Sequence, residues 1–149
     1  MKRAMGIEVI DGDGLILGRL ASAVAKRLLR EQDAEIVIVN AERIVISGSR
    51  DWIFKEYKAR QDRGSQEKGP FYPKMPDRIV KRTIRGMLPY KRAKGRDALH
   101  RVKVFLGVPP AYEAFERGKL EHAAAERLSR KYVTVGEVSE KLGWAPRLR

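Results

Sequence analysis

Between Leu17 and Leu29 the apolar residues are Leu17, Leu20, Ala21, Val24, Ala25, Leu28 and Leu29. They fall at i, i+3, i+4, i+7, i+8, i+11 and i+12, the stripe of an amphipathic helix. Arg19, Ser22, Lys26, Arg27 and Arg30 take the other face. Ahead of this helix, Ile7–Asp11 reads as a short strand closed by the turn Gly12-Asp13-Gly14. Behind it, Glu35–Asn40 (EIVIVN) is a β-branched run too short for a helix and reads as a buried strand. Strand, helix and strand make a βαβ unit of an α/β fold, with a right-handed crossover expected. Arg43–Ile46 is a candidate third strand, and Ser49 is placed to N-cap a helix through Trp52, Ile53, Phe54 and Tyr57.

Residues 61–76 (QDRGSQEKGPFYPKMP) read as a long loop, with Phe71-Tyr72 inside it. A loop of that length in a compact domain is usually functional or disordered. Asp77–Leu88 then reads as a helix opened by Pro76, whose missing N–H costs nothing at a helix start. At 100° per residue Arg78, Lys81, Arg82 and Arg85 share one stripe, and Ile79, Val80, Thr83, Ile84 and Met87 lie opposite. Pro89 ends the helix. Tyr90–Arg96 continues as a turn or short helix. Val102–Leu106 alternates as a strand, with Val102, Val104 and Leu106 on one side. Ala111–Arg130 is expected to contain helix. Thr134-Val135-Gly136-Glu137 has the capping-box pattern and opens a short helix ending at Gly143.

At 149 residues the chain amounts to one domain, residues 1–149, and 43% hydrophobic residues suffice for a core. It contains no cysteine, which excludes a disulfide framework, a thiolate zinc site, an iron–sulfur cluster and a cysteine nucleophile, and fits a reducing compartment. The longest purely apolar runs are short, such as Ile36–Val39, far from the ~20 residues of a membrane span. MKRAMGIEVIDGDG lacks a signal-peptide apolar stretch, so a soluble, unprocessed chain is expected.

Charge changes the picture most. The chain carries 32 Lys and Arg against 19 Asp and Glu, a net +13. Sixteen of the basic residues and only five of the acids lie between Lys55 and Lys103, so this third of the chain holds +11 of the excess. Scattered solvation would not concentrate charge in this way. Like charges at i,i+4 on a helix cost a few tenths of a kcal/mol each. The stripe at Arg78, Lys81, Arg82 and Arg85 has no acid to relieve it, which points to a polyanionic partner.

Other motifs carry less. Gly12, Gly14 and Gly18 sit between a strand and a helix, close to a dinucleotide fingerprint, and make a small nucleotide- or dinucleotide-binding α/β protein the alternative reading. Asp11 and Asp13 would repel a diphosphate there, and the second strand ends in Asn40 where an acid for the ribose would be expected. His100 and His122 have no partner at metal-ligand spacing. GxxxxGK[ST], GxSxG and HExxH are absent, and no carboxylate pair stands out for acid–base work, so no enzyme class, metal or cofactor is indicated. Ala123–Leu128 with Val135–Leu142 imitates a helix-turn-helix, but Glu137 and Glu140 against Lys141 would repel a DNA groove.

The run GPFYPKMPDRIVKRTIRGMLPYKRAKGRDALHRVKVFLGVP (Gly69–Pro109) resembles the signature region of the universal ribosomal protein L-thirteen family. DGDGLILGRLAS (Asp11–Ser22) and VIVNAERIVISGSR (Val37–Arg50) match it in the same order. GVPPAYE after the last strand, and the tail YVTVGEVSEKLG, look like the archaeal branch. The resemblance implies a three-layer α/β/α domain with a small, mainly parallel sheet of about four strands and a basic helix-loop extension. It implies a non-enzymatic structural protein of the large subunit, on cytoplasmic ribosomes. Its partners would be large-subunit rRNA and neighbouring ribosomal proteins, with no membrane or small-molecule substrate, and it would act in early assembly.

On both grounds the expected phosphate contacts are Arg78, Lys81, Arg82 and Arg85, extended by Lys91, Arg92, Lys94, Arg96 and Arg101. Lys55, Lys58, Arg60, Arg63, Lys68 and Lys74 would line the neighbouring surface and loop. Phe71, Tyr72 and Tyr90 are candidates for stacking on splayed bases, against the alternative of packing under the loop.

Overall fold

Side chains alternate across a strand, so a run such as EIVIV serves two faces at once. In the computed structural model, which describes residues 6–65, 67–69, 71–127 and 131–146, β1 (Ile7–Asp11) and β2 (Glu35–Val39) pair in parallel with Ile7 opposite Glu35. Ile10, Ile36 and Ile38 point into the main core, and Val9, Val37 and Val39 into a smaller one on the other face. Between these strands runs α1 (Leu17–Arg30), with Leu17, Leu20, Ala21, Val24, Ala25 and Leu28 buried as the periodicity predicts. β4 (Val102–Val104) adds in parallel to β2. The sheet order is β4-β2-β1-β5, with β5 the short strand Arg117–Gly118, and all four strands are parallel.

The main core lies on the face covered by α1 and α3 (Pro76–Gly86). The third layer is thin. Phe105, Val108, Tyr112 and Phe115 pack around a single 3-10 turn, Pro110–Tyr112, against Val9, Val37 and Val39. α2 (Arg50–Asp62), α4 (Ala93–His100) and α5 (Val135–Lys141) complete the helices. Ser49 caps α2 by accepting from the Trp52 N–H at 3.4 Å, and Thr134 and Glu137 form the reciprocal capping box of α5.

Four expectations need correction. The third strand is β3 (Val45–Ser47), starting two positions beyond the predicted start, and it leaves the parallel sheet to pair antiparallel with β6 (Tyr132–Thr134). The fourth place in the sheet goes to β5 (Arg117–Gly118), an exposed two-residue edge strand inside the segment expected to hold helix. That segment forms 3-10 turns at Pro110–Tyr112, Glu121–Ala123 and Ala125–Arg127 and, among the described residues, no α-helix. The alanine-rich propensity loses to tertiary hydrogen bonds: the Ile16 N–H donates to Ala123 O at 2.7 Å and the Ala125 N–H to Gly14 O at 2.8 Å. Leu128, Ser129 and Arg130 lie outside the described residues. Finally, α3 stops at Gly86, so Met87 is 43% exposed rather than packed, while Leu88 is buried just beyond the helix.

Candidate nucleic-acid interface

α3 is the centre of the basic region. Pro76 occupies its first turn, Asp77 faces the positive end of the helix dipole, and Arg85 faces the negative end. Ile79, Val80 and Ile84 are buried completely, which fixes the rotation of the helix and turns Arg78, Lys81, Arg82 and Arg85 away from the core. Among the described residues none of these four cations has a carboxylate partner. Aromatic rings stand in. The Arg82 guanidinium lies 5.1 Å from the Tyr72 ring centroid and that of Arg85 lies 4.2 Å from Tyr90. A ring face attracts a cation without neutralising it, so the outward charge is kept.

α2 contributes a second wall. Ile53 and Tyr57 anchor it, and burial pushes the Tyr57 phenol up to about 12, with Tyr72 adding in the same direction. Tyr72 meets Tyr57 edge-on at 6.0 Å, so the loop before α3 is pinned to α2. Arg60 lies over the Tyr57 ring at 4.8 Å and reaches Glu56 at 3.5 Å. Between the two helices opens a pocket of about 350 Å³ lined by Arg60, Arg63, Tyr72, Arg82, Thr83 and Gly86. The sequence places Arg63 and Arg82 nineteen residues apart, and the fold brings them together with Arg60 around one concavity. Three guanidinium groups and an aromatic wall suit a phosphate or a nucleotide edge.

The remaining predicted residues divide. Lys55, Lys68 and Lys74 are exposed. Lys58 is held at 3.6 Å from Asp62 and at 3.1 Å from Gln61 Oε1. Lys91, Arg92, Lys94 and Arg96 are exposed on the turn after α3 and the first turn of α4, where Arg96 Nη1 donates to Lys91 O at 3.1 Å. Arg101 stands apart. Its Nη1 donates to Glu31 O at 2.7 Å and Ala34 O at 2.9 Å, and its Nη2 donates to Leu28 O at 2.7 Å. That guanidinium closes the end of α1. Of the aromatic candidates, Phe71 is 69% exposed, whereas Tyr72 and Tyr90 lie under arginines.

Sequence reasoning missed Gly95. A Cβ there would lie 1.9 Å from Pro89 O, so only glycine lets the first turn of α4 rest on the Pro89 turn and display Lys91–Arg96. An isolated glycine within a helical stretch was the available signal. The glycine turn before α1 has a different use from the nucleotide-binding alternative. The Gly12 N–H donates to Val39 O, the Gly14 N–H to Arg43 O and the Leu15 N–H to Gly12 O. A Cβ on Gly12 would stand 2.7 Å from the Ile44 side chain. Asp11 accepts from both the Asp13 N–H and Asn40 Nδ2. Close packing explains the glycine, and those amides are already engaged.

The Ribosomal protein L13 family model matches residues 7–111. This chain belongs to that family. The match covers the sheet from β1 to β4 together with α2, α3 and α4, and so the whole cationic region. Among curated relatives, "Large ribosomal subunit protein uL13" of Methanosarcina barkeri is 60% identical over 136 residues, covering 91% of this chain and 96% of its own length. The same-named proteins of Methanococcoides burtonii and Archaeoglobus fulgidus are 56% and 53% identical, each across 91% of this chain and across 96% and 87% of their own lengths. These are archaeal members, which agrees with the branch read from the GVPPAYE segment and the tail.

Proposed function

We propose that this chain is a structural protein of the large ribosomal subunit that holds folded rRNA against the surface formed by α2, α3 and α4. The carrying observation is the α3 stripe, four cations without a carboxylate partner among the described residues, of which Arg82 meets Arg60 and Arg63 around one pocket. Such a surface is complete only when an external polyanion neutralises it. Arg78, Lys81, Arg82 and Arg85 contact phosphates, Arg60 and Arg63 close the pocket, and Lys91, Arg92, Lys94 and Arg96 extend the track. Lys55, Lys68 and Lys74 flank it. Phe71 is the ring free to stack on a base; Tyr72 and Tyr90 instead support arginines. Arg101 and Lys58 serve the fold. Recognition of this kind reads RNA shape and backbone more than sequence. The chain carries out no catalysis, works on the ribosome beside other large-subunit proteins, and joins the particle early in assembly.

Sedimentation tests the reading. The tagged chain, expressed in an archaeal host, should migrate with large subunits and be released by ribonuclease. A variant with Arg78, Lys81, Arg82 and Arg85 changed to alanine should stay at the top of the gradient. Full incorporation of that variant would move the interface elsewhere.

A further inference from the structure

The outward side of α1 holds a second cationic surface. Burial of the apolar stripe leaves Gly18, Arg19, Ser22, Lys26 and Arg30 exposed. With Arg27 and His122 they line an open groove of about 690 Å³. Gly18 to Glu31 spans about 20 Å of helix axis. Small residues leave its floor open: a Cβ on Gly18 would meet nothing within 4 Å, and Ser22 and Ala23 add little bulk. Cations form the rim. Arg27 is tied to Glu8 at 2.6 Å, and Arg19 Nη1 donates to His122 O at 3.1 Å, mooring the Glu121–Ala123 turn alongside the helix. Lys26 and Arg30 have no carboxylate partner among the described residues, and Glu31 is the single acid in the lining.

The chemistry selects the occupant. No large apolar side chain lines this groove, so it lacks the anchors on which protein partners depend. The groove between α2 and α5 differs, with Phe54, Tyr57, Val138 and Leu142 in its walls. Ammonium and guanidinium groups over an open floor fit a sugar-phosphate backbone, which positions without reading sequence. None of the α1 residues lies in the basic stretch 55–103, and none lines the pocket between α2 and α3.

We infer that the outer face of α1 is a second RNA-backbone site. It holds a ribose-phosphate segment different from the one on α3, so the protein clamps two RNA segments through one helical layer. The inference rests on the rRNA-binding reading above. The chain has no cysteine, so Ser22→Cys and, separately, Arg78→Cys each give a unique attachment point for a short photocrosslinker. Each labelled full chain is assembled into large subunits and irradiated. Both positions should crosslink to rRNA, at separate tracts. Lys26→Ala with Arg30→Ala should lower the slope of log K against log salt for large-subunit rRNA by about 1.4–1.8, and the crosslink from position 78 should persist. The second site is overturned if position 22 crosslinks to a protein, to the same tract as position 78, or to nothing while position 78 reaches rRNA. An unchanged slope overturns it too. If neither position reaches rRNA, the rRNA-binding reading itself fails.

Discussion

α2 and α3 carry the same number of Lys and Arg residues, four each, and treat them in opposite ways. α2 interleaves Arg50, Lys55, Lys58 and Arg60 with Asp51, Glu56 and Asp62. Two of its cations find acids one turn away, Glu56 with Arg60 and Lys58 with Asp62. Such pairs contribute about 0.3–0.5 kcal/mol each. α3 has one acid, Asp77, and it sits in the first turn rather than among the cations. Arg82 and Arg85 lean on Tyr72 and Tyr90, which position them and leave their charge facing outward. The lesson is that basic composition alone does not mark an interface. What marks it is charge that the fold orients and does not neutralise. Within α2, Lys58 and Arg60 are paired with acids in the free protein, whereas among the described residues the α3 stripe has no such partner.

The contrast can be broken most severely at α3. Changing Arg78, Lys81, Arg82 and Arg85 to alanine should lower the slope of log K against log salt for large-subunit rRNA by about 3, measured by filter binding. Lys58→Ala on α2 should leave that slope within error, and an equal loss from Lys58 would erase the distinction. Next comes the support of the basic turn. Gly95→Ala forces a Cβ into Pro89 O and should cost more than about 3 kcal/mol in urea unfolding. A near-neutral result would show that α4 is not seated on that turn.

A smaller effect concerns the tyrosine shared by the two helices. The Tyr57 phenol is raised to about 12 by burial, whereas unfolded tyrosine ionises near 10. The unfolded state therefore loses its proton first. The stabilising difference is fully present below pH 10 and is lost as pH climbs towards 12. Tyr57→Phe should show a shallower fall in stability over that window, and an identical fall would place Tyr57 in a wetter setting. The smallest effect sharpens the comparison most. Arg78→Glu puts an acid three and four residues before Lys81 and Arg82, giving α3 the pattern of α2. The free protein should gain a few tenths of a kcal/mol in thermal unfolding while rRNA binding weakens. Loss of stability together with binding would mean that the stripe is not under strain.

The sequence by itself determined the parts whose signals are local. β1, α1, β2, the caps at Ser49 and Thr134, and the amphipathic α3 follow from periodicity and capping chemistry, because each depends on residues within a few turns of one another. The concentration of charge between Lys55 and Lys103 was equally visible. Only the tertiary structure decided the use of long-range hydrogen bonds and neighbours. It drew β3 out of the parallel sheet, gave an edge place to the unpatterned Arg117–Gly118, and opened the chain around Ala123–Ala125 to pair with the turn before α1. It assigned Arg101 to the carbonyls of α1 and brought Arg60, Arg63 and Arg82 around one pocket. A guanidinium reads the same in a sequence whether it ends on a backbone oxygen or faces outward. Which it does depends on distances between residues far apart in the chain, and those exist only once the core has closed.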